Sequence, residues 1–241
     1  MEAIKTTNLT KQYKDKTAVK SLNLTVEKGE LYALLGVNGA GKSTTIKMLS
    51  CLVPVTSGDA LLNGHSVVKD SQSVKQIINV SPQETAVAEK LTVRENLELI
   101  ARIYGANKKQ AREKAQDMLD KFDMQEIAKS RAKTLSGGWQ RRLSIAMALI
   151  TEPEILFLDE PTLGLDVLAR RELWRVIEKL KGKITIILTT HYLEEAESLS
   201  DRIGIMAKGE LKAVGTAQEL KTLAKTDKFE EAFIRIAEEE V

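Results

Sequence analysis

The chain has 241 residues, of which 43% are hydrophobic and 29% charged, and this composition is typical of a globular protein with a sizeable core. Its 36 Lys and Arg nearly balance 34 Asp and Glu, so the net charge is only +2, which predicts no nucleic-acid partner. The sequence lacks an apolar run of about 20 residues, the length of a spanning helix, and the N-terminus lacks a secretory signal. We therefore expect a cytoplasmic chain that would contact a membrane only through a partner.

The N-terminal segment alternates apolar and polar residues from Ile4 to Tyr13 and from Val19 to Val26. This alternation predicts a small antiparallel β layer. Tyr13 has two open interpretations at this stage. Its ring could stack on a nucleotide base, or it could be an ordinary half-buried strand tyrosine.

A glycine-rich loop follows the apolar run 31–35, and its sequence GVNGAGKST fits the GxxxxGK[ST] pattern of a phosphate-binding loop. Its three glycines permit positive φ and let backbone N–H groups approach phosphates. Lys42 would bring a positive charge to the β- and γ-phosphates, and the Ser43 hydroxyl would ligate Mg²⁺. A helix predicted over 43–52 directs its positive N-terminal end to the same anion. The residues of this predicted triphosphate site are Gly36, Asn38, Gly39, Ala40, Gly41, Lys42, Ser43 and Thr44.

Two short strands are predicted next, at 60–62 and 77–80, and the second leads into Gln83. A polar residue just past a strand end can reach a ligand at the carboxyl edge of a sheet. A solvent-facing loop glutamine is the alternative.

Helical periodicity then replaces the strand pattern over about 84–133. A capping box at Thr92 begins one helix, Gly105 closes it, and a second helix spans about 108–122. Because the strand pattern resumes afterwards, we expect an all-helical insertion within one domain, serving as a docking surface.

The sequence Ser136-Gly137-Gly138 opens a helix that runs to about Ile150, with Ser136 as its predicted N-cap. It is a second segment suited to bind an anion. Since a single protein rarely needs two triphosphate sites, we interpret it as serving a nucleotide held by another copy of the fold. An ordinary capped helix is the alternative.

The apolar run 155–158 lies between Pro153 and Pro161 and predicts a buried parallel strand. It ends in Asp159 and Glu160, at the edge where such a sheet presents its ligands. Asp159 would hold Mg²⁺, and Glu160 would orient or deprotonate the attacking water. An exposed acidic pair is disfavoured because an apolar strand carries both residues inward.

Asp166 is the predicted N-cap of a helix over 167–180, and the strand 184–188 leads to His191. A lone histidine is most often structural. This one follows a buried strand, as Gln83 does, which favours a γ-phosphate contact.

The remaining chain predicts a hairpin over 202–206 and 211–214, then a helix capped by Thr216 and Glu219. Phe229, Ala232, Phe233 and Ile236 follow at helical spacing. We expect that helix to pack on its own domain.

Together these motifs resemble those of the nucleotide-binding subunits of ATP-binding cassette (ABC) transporters, over nearly the whole chain. In order they are an aromatic A-loop residue, the GVNGAGKST loop, the Q-loop glutamine, LSGG, ILFLDE, the D-loop PTLGLD and the switch histidine. The resemblance implies an α/β fold, with a P-loop NTPase core of ABC type, a mixed sheet with flanking helices, an N-terminal antiparallel β layer and an inserted α-helical subdomain. It implies one domain over 1–241, with core and β layer in 1–83 and 151–241 and the helical subdomain in 84–150.

The same resemblance assigns roles to single residues. Tyr13 becomes the adenine platform, and Val19 a further ATP contact. Gln83 becomes a metal and water sensor that couples to a membrane partner. The implied Mg²⁺ ligands are Ser43, Gln83 and Asp159, the catalytic residues are Glu160 and His191, and the contacts to the ATP of a second chain are Ser136, Gly137 and Gly138.

The implied cofactors are ATP and Mg²⁺, and the implied partners are a second, identical subunit and a separate transmembrane permease. In such a head-to-tail dimer two ATP molecules are held between the chains, at the cytoplasmic face of the membrane. Two positions depart from the family pattern: Trp139 replaces a common glutamine, and the D-loop has TLGLD in place of TSALD. With the tail FEEAFIRI, this D-loop is similar to those of prokaryotic drug and ion exporters. A soluble ABC-fold ATPase is the alternative, although the chain lacks the heptad repeats and second cassette usual there.

Overall fold

The structure is a computed structural model that describes residues 1–239, so Glu240 and Val241 of the predicted domain lie outside the described residues. The strands are β1 (Glu2–Tyr13), β2 (Lys16–Leu22), β3 (Thr25–Glu27), β4 (Leu31–Leu35), β5 (Ser57–Leu62), β6 (His65–Ser66), β7 (Ile78–Ser81), β8 (Ile155–Asp159), β9 (Thr185–Thr190), β10 (Arg202–Ala207) and β11 (Glu210–Gly215). The α-helices are α1 (Lys42–Leu49), α2 (Ser71–Ile77), α3 (Val93–Ile103), α4 (Lys108–Lys121), α5 (Gly137–Leu149), α6 (Val167–Glu178), α7 (Leu193–Leu199), α8 (Ala217–Leu223) and α9 (Phe229–Glu238).

A five-stranded antiparallel sheet forms the predicted N-terminal β layer. Its order is β2-β1-β5-β6, with β3 paired to the other end of β1. Strands β1 and β2 combine buried apolar residues, such as Ile4, Leu9 and Val19, with exposed polar ones, as expected of a sheet with one face on the core.

A six-stranded mixed sheet carries the site, with the order β11-β10-β4-β9-β8-β7. Strands β10, β4, β9, β8 and β7 are parallel, and only β11 pairs antiparallel. All five residues of β8 are buried, as the apolar run predicted. Because neighbouring parallel strands end at one edge, the residues that follow β4, β7, β8 and β9 are brought together there.

Apolar residues on both faces of this sheet form the core. One face packs against α3 to α6, through residues such as Leu97, Leu143 and Leu156. The other packs against the β layer and α1, through residues such as Phe157 and Ile187. The mixed sheet, β layer and inserted helices confirm the predicted α/β architecture.

The C-terminal helix packs on its own domain, as predicted. Phe229, Ala232 and Ile236 of α9 are buried in a third apolar cluster with Ile203 and Ile205 of β10. This contact holds α9 against the mixed sheet.

Helix caps were predicted better than helix lengths. The capping boxes at Thr92 and Thr216 and the Asp166 N-cap are all present. Helix α1 ends at Leu49 rather than residue 52, because Cys51 adopts a positive φ of 57°. Helix α2 was missed altogether, since Val74 is its one buried residue and leaves no apolar stripe to detect.

Residues 84–150 contain α3, α4, a 3₁₀ turn over 132–134 and α5, between strands β7 and β8. Over residues 1–239, the structure has no helix that is both long and apolar enough to cross a bilayer.

Candidate functional site

The phosphate loop, residues 36–44, joins β4 to α1 at the carboxyl edge of the sheet. Lys42 is only 4% exposed, and its ammonium donates hydrogen bonds to the carbonyl oxygens of Gly36 at 2.7 Å and Val37 at 3.3 Å. Nζ also lies 3.5 Å from Oε1 of Glu160. Burial lowers the pKa of Lys42, while Glu160 opposes that shift. The buried ammonium of Lys42 therefore lies at the predicted phosphate site.

Two of the three glycines in the phosphate loop have the predicted conformation. Gly39 and Gly41 adopt φ values of 82° and 109°, which L-residues rarely do. The prediction was wrong for Gly36, which does not have positive φ. A Cβ at Gly36 would overlap the carbonyl oxygen of Met206, so glycine is needed there for close packing.

Val19 lies beneath the phosphate loop rather than at the surface of the site. Its side chain is fully buried, and its Cγ2 is 3.3 Å from the position that a Cβ on Gly41 would take. The geometry shows how Val19 supports the loop, and its predicted contact to ATP stays a prediction.

The end of β8 is tied to the phosphate loop through Asp159. Its Oδ1 accepts hydrogen bonds from Ser43 Oγ at 3.0 Å and from Thr189 Oγ1 at 2.5 Å. Asp159 and Glu160 are each 7% exposed, so they are not an acidic pair on the surface. Ser43 and Asp159, two of the predicted Mg²⁺ ligands, are therefore in direct contact.

Glu160 has a strained backbone, with φ of 46°, in the left-handed region that a non-glycine residue enters at a cost of roughly 1–3 kcal/mol. Its N–H donates to the carbonyl oxygen of Thr189 at 3.1 Å and to Oγ1 of Thr189 at 3.0 Å. The carboxylate lies between Lys42 and His191. Nδ1 of His191 is 3.1 Å from Oε2, close but without the alignment of a hydrogen bond.

These groups surround a cavity of about 440 Å³. It is lined by Lys16, Ala18, Asn38, Gly39, Ala40, Gly41, Lys42, Ser43, Thr44, Gln83, Glu160, Leu163 and His191. The structure thus brings together the predicted phosphate loop, Gln83, Glu160 and His191.

Tyr13 lies near this cavity without lining it. It is 43% exposed and pairs across the β1–β2 hairpin with Lys16, which does line the cavity. The Lys11 ammonium lies 4.9 Å from the centroid of its ring. Base stacking by Tyr13 remains a prediction.

The oxygen atoms at this edge fit Mg²⁺, which prefers oxygen ligands and is usually held by one or two carboxylates together with substrate phosphates. Ser43 and Asp159 supply a hydroxyl and a carboxylate 3.0 Å apart. Among residues 1–239, no group of three or more His, Cys, Asp or Glu is arranged to hold a metal ion alone. The site therefore fits a metal that shares its ligands with a phosphate chain.

The signature segment, Ser136 to Gly138, is not among the residues that line the cavity. Ser136 stands at the N-cap position of α5, as predicted, but its hydroxyl makes no capping hydrogen bond. Ser136 and Gly137 are both exposed. The hydroxyl and the first N–H groups of α5, which have no intrahelical acceptor, are thus available to another molecule.

Sequence reasoning missed two residues that shape the site. Thr189 binds both Asp159 and Glu160, and Arg141 of α5 donates hydrogen bonds to backbone carbonyl groups beside them. The pair of arginines directly before the apolar run LSIAMALI was the available sign of Arg141. Thr189 directly follows the predicted strand 184–188, and this position at a strand end was its available sign.

Comparison with known proteins identifies the family of the chain. A model of the ABC transporter family matches residues 19–163. The chain is 43% identical over 212 residues to the daunorubicin resistance ATP-binding protein DrrA3 of Streptomyces coeruleorubidus, covering 88% of this chain and 67% of that protein. It is 42% identical over 214 residues to the linearmycin resistance ATP-binding protein LnrL of Bacillus subtilis (strain 168), covering 88% and 69%.

Solved structures agree. The ATP-binding subunit of an ABC transporter matches with a TM-score of 0.85 and 29% identity, covering 97% of this chain and 99% of that one. A dimeric ATP-binding cassette in a post-hydrolysis state, bound to ADP and Pi, matches with a TM-score of 0.79 and 28% identity, covering 88% and 98%.

The fold and site define a P-loop ATPase of ABC type. The chain belongs to the ABC transporter family, as the ATP-binding and hydrolysing subunit. The predicted family, fold class and ATPase activity are thereby confirmed.

Proposed function

We propose that the chain acts as one half of a head-to-tail dimer, in which each ATP is held between the phosphate loop of one copy and the signature segment of the other. The observation that carries this proposal is the separation of the two within one chain. Lys42, Glu160 and His191 line the cavity, whereas Ser136 and Gly137 are exposed elsewhere. A related cassette has been solved as a dimer with ADP and Pi.

Five residues that line the cavity, together with Asp159, have roles in this proposal. Lys42 neutralises phosphate charge, and the polyanion relieves the penalty that burial places on its ammonium. Glu160 accepts the proton of the attacking water, and His191 contacts the γ-phosphate. Ser43, Asp159 and Gln83 would hold Mg²⁺, which would neutralise charge on the phosphates.

We further propose that the chain drives a separate transmembrane permease from the cytoplasmic face of the membrane, in the direction of export. Two relatives are named for resistance to daunorubicin and linearmycin, so the exported compounds would be organic molecules of that antibiotic type. The exposed apolar side chains Leu99, Ile103 and Tyr104, at the end of α3, suit contact with such a partner. In this arrangement residues 1–83 and 151–241 form the core and β layer, and 84–150 the helical subdomain.

The test of the dimer is an intermolecular crosslink in a hydrolysis-impaired protein. All chains carry Glu160→Gln, expected to slow hydrolysis about 10²–10⁴-fold, and Cys51→Ala to remove the native thiol. One chain carries Val37→Cys in the phosphate loop, the other Lys133→Cys just before the signature segment. With a short bismaleimide, the mixture should form crosslinked dimers in ATP and few in ADP.

A mixture of Val37→Cys with Leu61→Cys is the matched control, because Leu61 is 40% exposed on the β layer away from the signature segment. Equal crosslinking of both mixtures, or none with ATP, would refute the head-to-tail dimer. Normal turnover by Glu160→Gln would refute the base role instead.

A further inference from the structure

Arg141 makes an unusual set of contacts. Arg141 is only 3% exposed, and all three nitrogens of its guanidinium donate hydrogen bonds to backbone carbonyl oxygens. Nε donates to Pro161 at 2.8 Å, Nη1 to Pro82 and to Gln83 at 3.2 Å, and Nη2 to Asp159 at 2.7 Å and Glu160 at 3.0 Å.

This charge is buried without a carboxylate partner. Within residues 1–239, the carboxylates of Asp159, Glu195 and Glu160 favour its charged form, but none of the three forms an ion pair with Arg141. Burial lowers the pKa of Arg141 to about 10, so the side chain stays protonated at neutral pH. Burying such a cation is costly, and a well-packed apolar residue would often stabilise the fold as well or better. The contacts therefore suggest a positional role.

On one side, the guanidinium fixes the backbone of Glu160. Nη2 holds the two carbonyl groups on either side of the Glu160 Cα, those of Asp159 and Glu160 itself. Thr189 accepts the N–H of Glu160 through both its carbonyl oxygen and its hydroxyl. These bonds hold the left-handed φ of 46°, and that backbone conformation directs the carboxylate toward Lys42 and His191.

On the other side, Nη1 holds the backbone of Pro82 and Gln83. Arg141 itself lies in α5, about one turn after the signature segment. One rigid, planar group thus links three segments: the start of α5, the loop that carries Gln83 and the strand end that carries Glu160.

We propose that Arg141 is a positioning residue for hydrolysis, which keeps the Glu160 backbone in its strained conformation and couples it to Gln83 and the signature segment. The proposal rests on the proposed role of Glu160 as the base. A small displacement of a reacting group can lower a rate by about 10²-fold, so loss of this support should appear in turnover rather than in ATP binding.

The test is Arg141→Lys, which keeps the charge and loses the planar fork. We expect kcat to fall about 10–10²-fold, while KM for ATP changes less than about threefold. Arg202→Lys is the matched control. Arg202 binds the Glu30 carboxylate and the Thr25 carbonyl away from the cavity, so kcat should stay within about twofold of wild type.

A double-mutant cycle separates positioning from general damage to the fold. In the Glu160→Gln background, Arg141→Lys should lower the residual rate by less than about twofold, because the group that it positions is already absent. An equal loss in both backgrounds, or normal kcat in Arg141→Lys alone, would overturn the proposal. If Glu160→Gln itself hydrolyses ATP normally, the proposed base fails, and this outcome is distinct from a failure of Arg141.

Arg141→Gln, which keeps two N–H donors on a shorter neutral side chain, is the second variant. Circular dichroism and the thermal unfolding midpoint report whether each variant folds. Failure of both to fold would overturn the positioning role, since Arg141 would then serve stability.

Discussion

The phosphate loop and the signature segment are both glycine-containing starts of helices, yet they differ in how much of a site the chain builds around them. At the phosphate loop, Lys42 is buried, and Ser43 is bonded to Asp159 at the end of a neighbouring strand. At the signature segment, Ser136 is exposed, and its hydroxyl forms no capping hydrogen bond with the first turn of α5. The start of a helix forms part of a pocket only where residues from other strands and loops lie beside it.

The placement of the two helices explains the difference. Helix α1 starts at the carboxyl edge of the sheet, where four strands end beside it. Helix α5 buries every residue from Arg141 to Leu149 against the core, and none of the residues in its first turn lines the cavity at that edge. The body of α5 therefore belongs to the core, while its exposed tip is available to the second chain that we propose.

The largest expected effect comes from the phosphate-loop side. Lys42→Ala removes the charged donor and should weaken ATP binding about 10²–10⁴-fold, since hydrogen bonds from charged groups contribute about 1.5–3 kcal/mol each. A fluorescence titration measures the affinity. Lys47→Ala, on the exposed face of the same helix, is the control and should bind normally. Micromolar affinity retained by Lys42→Ala would contradict the site.

A smaller effect, confined to the dimer, is expected at the signature segment. Gly137→Asp has space, because the nearest atom to an added Cβ is Leu165 Cδ2 at 4.0 Å, and aspartate is favourable at a helix start. Its charge would repel a triphosphate, so ATP turnover should fall about 10²-fold while ATP binding to the monomer is unchanged.

Gly137→Ala, equally accommodated but uncharged, is the control and should keep most of the turnover. Hydrolysis and nucleotide binding are measured on the same preparations. If Gly137→Asp binds ATP as poorly as Lys42→Ala does, the two regions are not separate halves of two sites.

The smallest effect is expected at Tyr13. Tyr13→Ala should weaken ATP binding by about 1–3 kcal/mol, or roughly 5–150-fold, if the ring stacks on adenine. The affinity for inorganic triphosphate should not change, because that ligand has no base. Tyr13→Phe should bind ATP normally. Equal losses for ATP and triphosphate would leave Tyr13 as an ordinary strand residue.

Much of the site was predictable because its residues follow strands. The apolar runs before Asp159 and His191 identified buried parallel strands, and parallel strands share an edge. The reason given for Gly36 was wrong, because its packing partner Met206 is distant in the sequence. Helix α2 escaped detection because a single buried side chain gives no periodicity.

Local sequence was enough to predict the phosphate loop, the helix caps at Thr92, Asp166 and Thr216, and the polar residues at strand ends, since each depends on spacing along a few neighbouring residues. The position of the signature segment outside the cavity, and the joint hold of Arg141 and Thr189 on the backbone of Glu160, could be seen only in the folded chain. The physical reason is that these contacts join segments tens of residues apart. Their geometry depends on how the helices pack on the sheet, and the periodicity of a short stretch of sequence does not predict that packing.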